Sequence, residues 1–285
     1  MTSSSLRPCL PLLTVTILLT LVQGCDSADD NAPASPLPVV EGWINSSGTP
    51  TVLFTTTIPA GDTTSIRDHM LTWAKVTISD GDKEVVMTGG PAGGFFPPFR
   101  YHTSEMTGVP GKRYRITADY KTFHAEAECV MPSPTPIDNI EIHPIENDSL
   151  FSVRLTFTAP SDVPAYYYIS VTSDGIHSQP LPSMMGTTEV VTPGIQISLP
   201  VFRPRVITNT ERYTSYFKKG ERFIVSLNRV QPDVYAFWRI FSDQAMFGTN
   251  NFISTSESLP GNINGGLGIF SAQGASSEIV EITGS

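Results

Sequence analysis

Strict alternation of apolar and polar side chains is the pattern that most restricts this chain. In Phe151-Ser152-Val153-Arg154-Leu155-Thr156-Phe157-Thr158 each odd position is apolar and each even one polar. A helix would scatter those apolar residues around its circumference, whereas a strand gathers them on one face. The same period runs through Ala74, Val76 and Ile78, and through Tyr114, Ile116, Ala118 and Tyr120. Val39–Ile44, Val52–Thr57, Ala165–Thr172 and the run with Phe223, Val225 and Leu227 are rich in β-formers. Asp80-Gly81-Asp82 stands between two such runs, a strong signal for a hairpin into Val85-Val86-Met87. Pro110-Gly111 marks another tight turn, after which residues 123 to 130 pair back. The 24 prolines and 22 glycines fit many turns between short strands and fall short of a disordered composition. The expected fold class is mainly all-β.

One segment departs from this period. Between Asp233 and Phe247, apolar residues fall at Val234, Phe237, Trp238, Phe241 and Ala245, which is helical spacing. Pro232-Asp233 suits a helix start and Gly248 its end. One amphipathic helix over 233–247 is expected, packed on the second of two sandwich-like units. The boundary between the units falls at Pro132, Pro134 and Pro136, which favour extended chain. That gives a first β-sandwich over 39–133 and a second β-rich unit over 137–285. Near the end, Gly265-Gly266 fits a turn before a short strand, and Ser277–Thr283 reads as a last strand.

The first 24 residues have a different character. A short polar start carries Arg7, an apolar stretch runs from Leu10 to Val22, and Gly24 precedes Cys25. This is the anatomy of a secretory signal peptide, too short and interrupted to span a bilayer. Leu21-Val22-Gln23-Gly24-Cys25 resembles the bacterial lipobox. That resemblance implies cleavage between Gly24 and Cys25 and lipid on the Cys25 thiol. Residues 25–38 then read as an acidic, proline-containing tether, with Asp26, Asp29 and Asp30. The thirteen residues after Cys25, extended at ~3.1 Å each, would reach about 40 Å. Acidic residues just after the lipidated cysteine also resemble a surface-export signal of the Bacteroidetes.

Net charge is −9, and its carriers are few and scattered, which argues against a nucleic-acid partner. If Cys25 carries lipid and Cys9 leaves with the signal, Cys129 has no partner for a disulfide. Its place in Phe123-His124-Ala125-Glu126-Ala127-Glu128-Cys129 puts it on an apolar strand face, as an inert buried thiol. His69, His102, His124, His143 and His177 show no metal-ligand spacing. Asp80-Gly81-Asp82 lacks the further oxygens of a calcium loop. No nucleophile elbow or metalloprotease motif is present in the sequence. The expectation is therefore no catalytic site, no metal and no cofactor. Two groups stand out as candidate ligand or partner contacts: Phe95, Phe96 and Phe99 in a Gly/Pro-rich loop, and Tyr166, Tyr167 and Tyr168 on one strand.

Along the body, Val39–Ile44, Gly108–Tyr114, Met131–Asp138, the helix with Tyr235 and Trp238, and Pro260–Phe270 occur in the order and spacing of a known family. The chain resembles the Bacteroidetes lipoproteins grouped as DUF4249. The first unit also resembles the small sandwich of carboxypeptidase regulatory-like and transthyretin-like domains. The resemblance supplies no catalytic residue. It implies an outer-membrane, lipid-anchored binding protein facing periplasm or exterior, an accessory to a TonB-dependent transporter in nutrient uptake. Two alternatives are a surface hydrolase of peptides or glycans and a structural or adhesive surface protein.

Overall fold

The structure, a computed structural model, describes residues 35–59, 62–145, 149–173, 178–204, 213–247 and 258–283. The expected signal peptide, the Gly24–Cys25 cleavage site, the lipid attachment at Cys25, most of the tether and His177 lie outside the described residues. Among those described, no helix is long and apolar enough to cross a membrane.

Alternation translates into strands almost everywhere it was legible. The first half of the body holds β1 (Pro38–Asn45), β2 (Thr51–Thr56), β3 (Lys75–Ser79), β4 (Glu84–Val86), β5 (Thr88–Pro91), β6 (Phe99–His102), β7 (Arg113–Tyr120) and β8 (Phe123–Val130). The second half holds β9 (Asn139–Ile145), β10 (Leu150–Thr158), β11 (Ala165–Ser173), β12 (Leu181–Val190), β13 (Gln196–Val201), β14 (Phe217–Lys218), β15 (Arg222–Val230) and β16 (Leu267–Glu281). One α-helix among the described residues, α1 (Pro232–Phe247), lies between β15 and β16. The fold is mainly β, built of antiparallel sheets in a sandwich-like arrangement, as the sequence implies.

Eight strands form one sheet in the order β12-β11-β15-β16-β1-β2-β6-β5. A second sheet, β4-β3-β7-β8, covers one half of it. Between them lie Val40, Ile44, Val76, Tyr114, Ile116 and Phe270, all at most 1% exposed. In a third sheet β10 pairs with β9, β13 and β14. Its Phe151, Val153, Leu155 and Phe157 meet Tyr167, Val225 and Leu227 in a second core. The alternation read at 151–158 thus buries one face of β10 and leaves the other to water.

The last strand is where the structure departs from the local reading. A short strand after Gly265-Gly266 and a separate one at Ser277–Thr283 are instead one continuous 15-residue strand, Leu267–Glu281. Its first part pairs parallel with β1, Val39 opposite Leu267 through Asn45 opposite Gln273. Its second part pairs antiparallel with β15, from Gly274 to Glu281. The glycines there are not loop residues. A Cβ on Gly268 (φ +108°) would sit 2.0 Å from the Val40 carbonyl oxygen, and one on Gly274 would sit 2.4 Å from that of Pro132. Close backbone approach, rather than flexibility, is what selects glycine at both positions.

β16 serves both cores. Phe270 and Ala272 enter the first, Val280 the second, and even spacing keeps them on one face of the strand. Pro36–Ser285 accordingly forms one compact unit. On the other face, α1 lies over β11, β12 and β16. Its Val234 and Trp238 are buried and continuous with the first core.

Because Phe270 is fully buried in the first core, on the strand that both cores share, Phe270→Ala is expected to cost about 3–5 kcal/mol. Urea unfolding followed by near-ultraviolet circular dichroism checks it, with both halves lost in one transition. Loss of one half with retention of the other would contradict the shared-strand account.

Candidate functional site

The outer face of β1 carries Val39, Glu41 and Trp43. On this side of the large sheet the loop after β5 folds back. Phe95 stacks parallel to Trp43 at 6.3 Å, and the Arg100 guanidinium lies 4.9 Å from the Phe95 ring centre. Phe95, Ala92 and Leu53 make a small satellite core. Between this loop, the start of β12 and α1 opens a cleft of about 960 Å³. Phe95, Phe96, Met184, Phe237, Trp238 and Phe241 are among the residues of its apolar wall.

The polar lining is sparse: Glu41, Gln179, Ser173 and Ser178. Glu41 is the only ionisable side chain among the described lining residues. It is partly buried, and the desolvation of its carboxyl raises its pKa to about 7. A hydrogen bond from the Gln179 side chain opposes that rise without cancelling it. Gln179 is itself locked, since its Oε1 accepts from the Phe96 N–H at 3.0 Å. Its amide nitrogen is thereby left to face Glu41. Next to this pair, Tyr168 is held above the ordinary phenol range, first by burial and then by the charge of Glu41. The Gln273 amide donates to the Tyr168 hydroxyl at 2.7 Å.

The residues singled out from sequence divide between roles. Phe95 and Phe96 line the cleft, the first 7% and the second 39% exposed. Phe99 turns instead toward the first core, edge-on to Tyr101 at 5.5 Å. Tyr167 is buried in the second core against Phe157, its hydroxyl 2.8 Å from Thr135 Oγ1. Tyr166 and Tyr168 face the helix, the one against Tyr235 and the other stacked on Trp238, each at 5.3 Å. None of the three tyrosines lines the cleft; Tyr168 backs the Trp238 wall from behind.

Glu41, Gln179, Met184 and the helix aromatics were not singled out. One signal for Glu41 was present: Val39-Val40-Glu41-Gly42-Trp43-Ile44 is apolar on both faces, as in a strand covered on both sides. A carboxylate inside such a strand must find a special environment. Gln179 gave no comparable signal.

Other polar groups are absorbed locally. Lys112 Nζ bonds Asp80 at 2.7 Å and Asp82 at 3.0 Å, so its ammonium bridges the two carboxylates of this turn. That lysine holds the Asp80 carboxyl down at about 2. His69 is bonded by Thr56 Oγ1 at 3.1 Å and Thr64 Oγ1 at 2.9 Å, with Asp62 at 3.3 Å, which ties down the turn before β3. His124 is exposed and pairs with Asp119 at 2.6 Å. Among the described residues no cluster of His, Cys, Asp or Glu is arranged to hold a metal ion.

Two measurements check these environments. Cys129 is 4% exposed, and burial pushes its thiol up to about 11. At pH 8 it is expected to resist Ellman's reagent in the folded protein and to react at once in denaturant. For Glu41, the raised pKa means that the folded state binds the extra proton between the ordinary 4.5 and about 7. Its contribution to stability is therefore present at low pH and falls as pH rises through that window. Urea midpoints taken from pH 5 to 8 are expected to drop more in the parent than in Glu41→Gln.

The comparisons agree with the order of motifs along the chain. A family model described as a domain of unknown function, DUF4249, matches residues 28–279. No curated protein matches the chain. With the match covering well over half of the 285 residues, the chain belongs to the DUF4249 family.

Proposed function

We propose that this protein is a lipid-anchored binding protein of the bacterial outer membrane, serving as an accessory to a TonB-dependent transporter of the Bacteroidetes. The observation that carries the binding role is the cleft of about 960 Å³ between α1, the 94–97 loop and the start of β12. Its size lies in the range of small-molecule sites, and an apolar wall with few polar groups is the usual composition of one. The surface-hydrolase alternative would need a second carboxylate or an activated nucleophile beside Glu41, and the described lining offers no second carboxylate. The location rests on Gly24-Cys25 and the acidic stretch after it, together with family membership.

The geometry of attachment suits this role. Fully extended at ~3.1 Å each, the residues between Cys25 and Pro36 would reach about 30 Å, enough to let the body meet a neighbouring receptor while the anchor stays in the bilayer.

Three measurements test the proposal. The neutral dye Nile red is expected to bind one-to-one with a blue-shifted emission, and Met184→Trp, which fills the cleft, to weaken it at least tenfold. Absence of dye binding by the parent chain overturns the binding role. Cys25→Ser is expected to release the protein from membranes, and retention on membranes with unchanged mass overturns the anchor. Affinity capture from outer membranes is expected to bring a TonB-dependent receptor with it; capture that brings no membrane protein overturns the accessory role.

A further inference from the structure

We infer that the cleft selects an apolar amine or other organic cation, whose positive charge is met by Glu41 at the cleft wall. The inference rests on the binding role proposed above and adds the chemical class of the ligand.

The argument begins with what surrounds Glu41. β2 and residues 94–97 and 178–184 carry no charged side chain. On β16, Glu278 and Glu281 lie at the far end, opposite Val225 and Arg222 of β15. On α1, Arg239 and Asp243 pair with each other at 3.6 Å, and Asp233 accepts from Asn262 at 3.0 Å. Arg100 is occupied over the ring of Phe95. Among the described residues, Tyr168 is the other titratable group next to Glu41, and Gln273 satisfies its hydroxyl. So this carboxyl is set into an apolar wall with an amide beside it and no cationic partner from the described chain.

An unpaired carboxylate in such a place is costly, and a ligand that brings the missing charge gains what the fold leaves unmet. The rest of the wall favours the same class. Five aromatic rings line the cleft: Phe95, Phe96, Phe237, Trp238 and Phe241. Aromatic faces attract cations as well as apolar groups. Gln179 fixes the polarity: with its oxygen held by Phe96, it presents a donor, which favours the ionised form of Glu41 over the acid. A carboxylate ligand would find no Lys, Arg or His among the described lining residues.

The sign of pH dependence follows. Near neutral pH Glu41 shares its time between acid and carboxylate. Only the carboxylate pairs with an ammonium, so affinity for a cation falls as pH drops below about 7, while affinity for a neutral ligand stays flat.

The test uses three probes with one apolar body: decylamine, decanol and decanoate. Titration calorimetry is run on the chain from Asp26 onward, which keeps the whole compact Pro36–Ser285 unit. At pH 8 decylamine is expected to bind at least tenfold tighter than decanol, and to lose at least tenfold on moving to pH 5.5. Glu41→Gln is expected to remove both the preference and the pH dependence, so that decylamine binds no tighter than decanol at either pH. If the three probes bind alike, or decanoate binds best, or the amine gains affinity at low pH, the cation inference is overturned and the cleft stands as a binding site. If none of the three binds, the proposed binding role falls with it.

Discussion

The pairing of β1 with β16 is the contact on which the rest of the body depends. It joins the first strand of the folded chain to the last, in parallel register over seven residue pairs. A parallel pair cannot be closed by a short turn, so everything between Asn45 and Leu267 is the connection. The large sheet exists as one surface only because β16 continues past β1 to meet β15. Both cores then share a strand, and neither sandwich is complete until the final residues arrive. Loop closure across more than two hundred residues precedes that pairing, which makes the fold rich in distant contacts and slow to assemble.

The same continuity creates the cleft. With both covering sheets on one face of the eight-stranded sheet, the opposite face is left to α1 and the loop after β5. The helix is anchored by Val234 and Trp238, and the loop by Phe95 against Trp43. Among the described residues, the space between these two elements is the cleft that Glu41 lines. A carboxyl group on β1 thus ends up among aromatic rings brought from two other segments, the 94–97 loop and α1.

Sequence alone made the framework legible because its physics is local. Period two at 151–158, the Asp80-Gly81-Asp82 hairpin and the helical spacing from Val234 to Ala245 each depend on neighbours along the chain. The glycine-rich run before β16 was harder to read, since Gly268 and Gly274 answer to Val40 and Pro132, which are remote in sequence. The site was legible only in part for the same reason. Phe95 and Phe96 stand out as aromatics in a flexible loop. Phe99, two residues past Pro97, turns to the core because β6 pairing sets its direction, which no local rule supplies. Glu41 and Gln179 meet across 138 residues, and only the closed sheet brings them together.

The start of β1 has a mechanical meaning as well. A pull applied along the axis of β1 from its first residue enters the body at one end of that strand. Because β1 is held between β16 and β2, that load acts in shear and is divided over the paired backbone bonds on both sides at once. A strand attached at right angles would instead peel away bond by bond. The fold is therefore stiff to a load along β1.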